Sequence, residues 1–327
     1  MGSYTQKLTS LAVAAGFVAL GMTATTPAAA QIEIKLPFET PPGHIKTRSI
    51  EVFKKTLEAS GKYKVTLYPT AQLMPGKDEI AAVARGQVQM AVPTNGYMST
   101  IDPAFKFLEV PMLFDSYDAM EKVLNGPIGA ELLGRLSKKR LHGAGFWYDG
   151  FVALWSNKPI RTLEDLKNQK IRVFPSEVLS NATKALGAAP TSIPGAEVYL
   201  ALKQGVADGA WTTPPYGNRI KLYEVLKSVT KVNLFPFGYV VILNPTFLKK
   251  QSSEGRMLIN KALAAGKAYN LAEITNSINS AYKSVASHGM QVVDISAAER
   301  KRWHAALKPV YENLDPIVKE LLAKIGK

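Results

Sequence analysis

Between Ser253 and His288 the chain has no proline and, past Gly255 at its start, a single interior glycine, and Gly289 ends the run. Leu258, Ala262, Ala265, Tyr269 and Ala272, then Ile274, Ile278, Ala281 and Val285, keep helical spacing with one shift of phase. At about 1.5 Å per residue such a helix reaches roughly 50 Å. That is longer than one lobe of a chain this size is wide. A helix of this length must lie across two lobes, and the phase shift predicts a kink.

The rest of the chain reads as α/β. Gln31 to Leu36 and Tyr63 to Tyr68 alternate apolar and polar residues as half-buried strands do, and Pro69 ends the second. Between them, Ile45 to Ser60 carries Ile50, Phe53 and Leu57 on one helical stripe. Helix Lys77–Arg85, a stop at Gly86, strand Val88–Val92 and the polar stretch Pro93-Thr94-Asn95-Gly96 follow. The same order recurs about 119 residues later: a helix to Lys203, Gly205, a strand to Trp211, then Thr212-Thr213-Pro214-Pro215. Two such units predict two lobes of similar build facing one another, an arrangement that favours a small-molecule site at their interface. Gly143 to Trp155 and Lys231 to Leu243 read as the strands that cross between the lobes. The boundaries expected are 31–150 with about 236–275 for one lobe, and 151–235 with about 276–327 for the other. Ala297 to Leu322 reads as a last amphipathic helix, broken near Pro309 or Pro316.

Within the second unit, Ile171-Arg172-Val173-Phe174-Pro175 is a short buried strand that carries one cation and is stopped by proline. An arginine there either pairs with a structural carboxylate or snorkels, or it offers its planar fork to a ligand carboxylate. Ligands in open α/β sheets sit outside the carboxyl ends of strands, which is where Arg172 and Trp211-Thr212-Thr213 fall. The expectation is half of a cleft for an organic anion.

Residues 1–30 have the form of a secretory leader: Lys7, an apolar core from Leu8 to Met22, and Ala28-Ala29-Ala30 before Gln31. An exported, periplasmic protein is expected. The absence of cysteine rules out disulfides, thiol nucleophiles and thiolate metal sites, so stability must come from core size, which 46% hydrophobic residues can supply. The net charge of +14 suits an anionic partner, but the lysines are scattered and export argues against nucleic acid. No Gly-x-Ser-x-Gly elbow, His-Glu-x-x-His, Walker loop or dinucleotide fingerprint is present. His44, His142, His288 and His304 are dispersed, and no pair has metal-ligand spacing. No catalysis, metal or cofactor is expected. An exported hydrolase using a carboxylate pair is the rival reading from another class.

Read whole, the mature chain resembles the solute-binding components of tripartite ATP-independent periplasmic (TRAP) transporters. The resemblance rests on the order and spacing of Pro41-Pro42-Gly43-His44, Tyr68-Pro69-Thr70-Ala71-Gln72-Leu73, Val110-Pro111-Met112-Leu113-Phe114, Lys170-Ile171-Arg172-Val173, Glu197-Val198-Tyr199-Leu200-Ala201-Leu202 and Leu222-Tyr223-Glu224-Val225. It implies a two-lobed α/β clamshell bridged by the long helix, and delivery of an organic acid to ion-gradient-driven membrane subunits. An ATP-driven transporter's binding protein is the nearer alternative, and those usually lack the long helix. A monomer is expected.

The resemblance places the family's ligand arginine on Arg172. A second arginine found in some members falls on Val152, a usual asparagine falls near Thr212 beside Trp211, and a bulky pocket phenylalanine falls on Gly195. One cation lost, one aromatic gained and one bulky group removed imply a monocarboxylate with a larger or more apolar body, such as an aromatic or a sugar acid. The ligand contacts expected are Arg172, Phe174, Gly195, Trp211, Thr212 and Thr213 on one side. From the other side and the crossing strands come Tyr68, Gln72, Asn95, Trp147, Tyr148 and Phe237.

Overall fold

A computed structural model describes residues 31–327, which form one compact unit; the expected leader lies outside the described residues. In chain order the strands are β1 (Ile32–Pro37), β2 (Tyr63–Tyr68), β3 (Met90–Ala91), β4 (His142–Phe151), β5 (Ala153–Ser156), β6 (Lys170–Val173), β7 (Ala189–Ser192), β8 (Gly209–Thr212), β9 (Ser228–Lys231), β10 (Pro236–Leu243) and β11 (Gln291–Asp294). Strands β1 and β2 pair in parallel, with Ile32 opposite Tyr63 and Pro37 opposite Tyr68, and the helix Ile45–Glu58 connects them. Gln89 ties this pair to the antiparallel set β3-β10-β4: its side chain accepts from Lys35 N (2.9 Å) and its carbonyl from Asn244 N (2.9 Å). These strands make the first lobe. The second is a mixed sheet ordered β11-β9-β5-β8-β6-β7, with β7, which carries Pro190, on the edge where a missing N–H is tolerated.

The lobes are joined where β4 runs into β5 and where β9 leads to β10. The two crossings hold each other: Val152 N donates to Phe235 O (2.9 Å) and Leu234 N donates to Val152 O (3.0 Å). Helix Ser253–Ser287 is the third connection, as its length required. It packs on helix Ile45–Glu58 and on β4, then reaches helix Pro214–Arg219 and β11. Gly266 permits the close approach, because a Cβ there would lie 2.8 Å from the Trp147 ring and 3.0 Å from Ser49 O. The predicted kink is not needed to explain the phase shift. The buried stripe runs Ile259, Ala262, Leu263, Gly266, Asn270, Ile274, Ala281, Val285, with half-buried Ser277 and Ile278 in the turn between Ile274 and Ala281. One of its seats is held by a polar residue, Asn270, which an apolar pattern skips.

Two stretches read as polar loops are helices, Asn95–Ile101 and Pro214–Arg219. Each follows a threonine in extended geometry, Thr94 or Thr213. Thr213 Oγ1 accepts from Tyr216 N, and Pro214 occupies the first helical turn, where proline is well placed. The internal similarity therefore extends one helix further than the pattern suggested. The C-terminal segment is broken at both prolines, into Ala297–Ala306, Lys308–Glu312 and Pro316–Ala323. Its last helix packs against the 3-10 helix Pro103–Glu109 of the first lobe.

Candidate functional site

Ile171 and Val173 are fully buried on β6, and their register puts Arg172 between the lobes with 3% of its surface exposed. Two backbone carbonyls fix the guanidinium: Nε donates to Ile193 O (2.9 Å) and Nη1 donates to Trp211 O (3.1 Å). Among the described residues no carboxylate oxygen lies within 4.0 Å of it. Burial lowers its pKa to about 10, opposed by Tyr216, Glu39 and Tyr97, so the group is charged at neutral pH. The remaining N–H groups face a cavity with about 50 Å³ of room for atom centres. Arg172 is therefore held by neutral acceptors, with no carboxylate in contact and Glu39 acting on it only from elsewhere on the cavity wall.

Phe174, Gly195, Thr212 and Phe237 line the same cavity. Phe174 and Phe237 form its apolar wall, edge to face with centroids 4.9 Å apart, and Tyr239 continues it at 5.7 Å from Phe237. At Gly195 the space that a bulkier side chain would take is partly filled, since an added Cβ would meet the Tyr216 hydroxyl at 3.1 Å. The room expected from a small residue there is taken up by Tyr216.

Seven expected contacts lie elsewhere. Trp211 points the other way, wholly buried against Trp303, with Nε1 donating to Thr183 Oγ1 (3.0 Å); only its carbonyl serves the site. Thr213 caps its helix and donates to Asp149 (2.8 Å) instead of facing the cavity. Tyr68 is half-buried and Gln72 exposed. Their loop folds back behind the segment after β1, with Ala71 N donating to Phe38 O (3.0 Å), so Glu39 and Thr40 line the cavity in their place. Asn95, Trp147 and Tyr148 border a separate void of about 10 Å³. Trp147 packs under Gly266, and both backbone polar groups of Tyr148 bond to Asn270.

The site also contains residues that the sequence pattern did not single out. Gly150 pairs with Phe237 and Tyr148 with Gly238, leaving Asp149 as the extra residue of a β-bulge. Bulges re-aim side chains, and here Asp149 reaches the cavity at 1% exposure. Its Oδ2 accepts from Thr213 and Tyr239 OH (3.1 Å), and His44 Nε2 lies 2.9 Å from its Oδ1. Lys46, in the first turn of helix Ile45–Glu58, is 2% exposed with Nζ 4.3 Å from the Tyr239 ring centre. Burial lowers its pKa, against the pull of Glu79, Glu39 and Asp149. Glu39 accepts from Tyr97 OH (3.3 Å) at the rim. Glu79 is buried and pushed up to about 8, chiefly by that burial and against the charge of Lys46.

The lobes meet around this cavity. Gly96 of the first lies against the carbonyl of Pro175 of the second, and Arg219 Nε donates to Pro42 O (2.6 Å). Among the described residues no cluster of acids or histidines suited to a metal is present, and no helix is long and apolar enough to cross a membrane.

Comparison with known proteins gives the same assignment from a separate direction. The family described as bacterial extracellular solute-binding protein, family 7, matches residues 38–315. The C4-dicarboxylate-binding periplasmic protein DctP of Rhodobacter capsulatus is 31% identical over 304 residues, covering 91% of each chain. A TRAP periplasmic solute-binding protein from Shewanella oneidensis, solved with bound succinate, superposes with a TM-score of 0.85 at 27% identity. It covers 90% of this chain and 99% of its own. A second, from Xanthobacter autotrophicus Py2 with bound β-D-galacturonate, gives 0.83 at 27% identity, over 89% and 98% of the two chains.

Proposed function

The chain belongs to the bacterial extracellular solute-binding proteins of family 7, the periplasmic components of TRAP transporters, and from that premise we propose that it binds an organic acid through a single carboxylate seated on Arg172. The family binds small organic anions for membrane partners and is not enzymatic. Relatives hold ligands as different as succinate and galacturonate, so the family alone does not select the solute.

One observation carries the reading: a buried guanidinium, fixed by two carbonyls and facing a cavity, with no carboxylate within 4.0 Å. A buried charge without a partner is costly. A ligand carboxylate supplies the partner through charge-assisted hydrogen bonds about twice as strong as neutral ones. The body of the acid then lies against Phe174 and Phe237, and its contacts with Glu39, Thr40 and Tyr97 come from the opposite lobe. Contacts from both lobes favour the closed form, because only differential affinity shifts an open–closed equilibrium.

In this reading the chain acts as a monomer in the periplasm after removal of residues 1–30, with lobes divided near 150, 235 and 275. It closes on its acid and releases it to the integral membrane subunits. A thermal-shift screen over organic acids, followed by calorimetry on the hits, tests it, since a ligand bound only by the folded chain raises stability by mass action. Failure of every acid to shift the melting temperature, or equal binding by Arg172→Ala, refutes the proposal.

A further inference from the structure

We propose that the cavity selects hydroxylated monocarboxylates, and that Lys46 with Glu39 reads the ligand's hydroxyl groups; this rests on Arg172 being the carboxylate seat.

Lys46 is a second buried cation that the site leaves open. Among the described residues its ammonium has neither a hydrogen-bond partner nor a carboxylate oxygen within 4.0 Å; it lies 4.3 Å from the Tyr239 ring centre and 6.0 Å from that of Phe38, and Glu79, Glu39 and Asp149 act on it only from farther away. An ammonium has three donors and no acceptor, and an aromatic face satisfies one direction only. Lys46 lines the cavity, so its free donors are available to an occupant.

Three classes of ligand body can be weighed against this lining. A second carboxylate could reach Lys46, but it would enter a space that Glu39 and Asp149 also line, and like charges in one site repel. A hydrocarbon or plain aromatic body would suit Phe174 and Phe237. It would leave the ammonium desolvated and unpaired, and the Glu39 carboxylate with only its bond from Tyr97 OH, the costliest outcome for a buried cation. A hydroxyl accepts from an ammonium and donates to a carboxylate at once, and it is neutral. The hydroxyls of Thr40, Thr94 and Thr212 on the same walls can donate or accept as the pattern requires. Of the three, the hydroxylated acid alone satisfies both the cation and the acids. Lys46 also supplies a cation where the sequence showed none beyond Arg172, so the missing arginine at Val152 does not leave the body of the ligand without a donor.

The test is calorimetry on the full mature chain with glycerate and D-gluconate, their unsubstituted counterparts propanoate and hexanoate, and succinate and benzoate. Wild type is expected to bind a hydroxylated acid at least about 100-fold more tightly than its unsubstituted counterpart, as sites built for hydroxyls do. Lys46→Met is expected to lose about 10- to 100-fold for the hydroxylated acid and to tighten the unsubstituted one, whose body then no longer desolvates an unpaired ammonium. Glu39→Gln, at a half-buried loop position, should narrow the same preference and serves if Lys46→Met fails to fold by circular dichroism. If hexanoate, succinate or benzoate binds tightest and depends on Arg172 but not on Lys46, this inference is overturned while the carboxylate seat stands. If no acid binds, or if Arg172→Ala changes nothing, the underlying reading falls as well.

Discussion

Asn270, midway along the bridging helix, bonds to both backbone polar groups of Tyr148: its Oδ1 accepts from Tyr148 N (2.7 Å) and its Nδ2 donates to Tyr148 O (2.9 Å). Tyr148 adjoins the bulge that aims Asp149 into the cavity, where the sheet ladder cannot pair every group. The helix thus supplies hydrogen bonds that the strand gives up in order to place an acid at the site. Asn270 is wholly buried, so Asn270→Leu leaves a donor and an acceptor without partners. The expected loss is about 2–4 kcal/mol of stability, read from urea unfolding. A loss below about 0.5 kcal/mol would show that the pair does not secure the strand.

Arg172 is held by two carbonyls, and its fork geometry is what a carboxylate needs. Arg172→Lys keeps the charge but loses the second parallel hydrogen bond. Arg172→Gln loses the charge too. Calorimetry with any acid identified by thermal shift is expected to show Gln weakening binding by about 2–5 kcal/mol, with Lys between Gln and wild type. Lysine binding as tightly as arginine would mean that point charge, not the fork, does the holding.

Ser176, which caps helix Glu177–Ala185 in the second lobe, donates to buried Glu109 of the first (2.5 Å). Burial pushes Glu109 up to about 8, against the Ser176 hydrogen bond and the charge of Lys106. A carboxyl raised in the folded state binds its proton more tightly there than in the unfolded chain. Its contribution is therefore fully present below about pH 4.5 and is lost as pH rises towards 8. Glu79 is raised in the same direction. Glu109→Gln should accordingly flatten, without abolishing, the fall in melting temperature between pH 5 and pH 8. An unchanged slope would mean that Glu109 is not protonated in the folded protein.

How much of this was legible in the sequence follows from which forces leave a periodic trace. Proline-free helical spacing from Ser253 onward gave the bridge, and alternation gave β1 and β2, because burial of one face is written at fixed intervals. Arg172 was legible as a lone cation in an apolar strand closed by Pro175. Asp149 was not, since a bulge changes register by one residue and leaves no periodic mark. Lys46 sits beside Ile45 at the start of a helix whose other lysines, Lys54 and Lys55, are half-buried and exposed, so its burial depends on the opposing sheet. Trp211 was misplaced for a related reason: an aromatic next to a site reads as a wall, whereas here Thr183 and Trp303 hold it in the core behind the strand. His44 and Tyr216, edge to face at 5.8 Å, come together only when the lobes do.

Closure itself can be tested at Gly96, where helix Asn95–Ile101 of the first lobe meets the loop after β6. An added Cβ would lie 2.4 Å from Pro175 O and 3.1 Å from the Phe174 ring, and a backbone carbonyl cannot turn aside as the end of a long side chain could. The first turn of a helix otherwise accepts alanine, which is favoured over glycine by up to about 1 kcal/mol. Gly96→Ala therefore burdens only the form in which the lobes touch. Overpacking of this kind costs about 1–3 kcal/mol, which corresponds to roughly a 5- to 150-fold weaker affinity. The ligand-free melting temperature should be unchanged or slightly raised. Small-angle scattering of the saturated variant should retain a larger radius of gyration than saturated wild type. Wild-type affinity in Gly96→Ala would mean that capture does not require the Gly96–Pro175 contact, and that the grip on the acid comes from the Arg172 lobe alone.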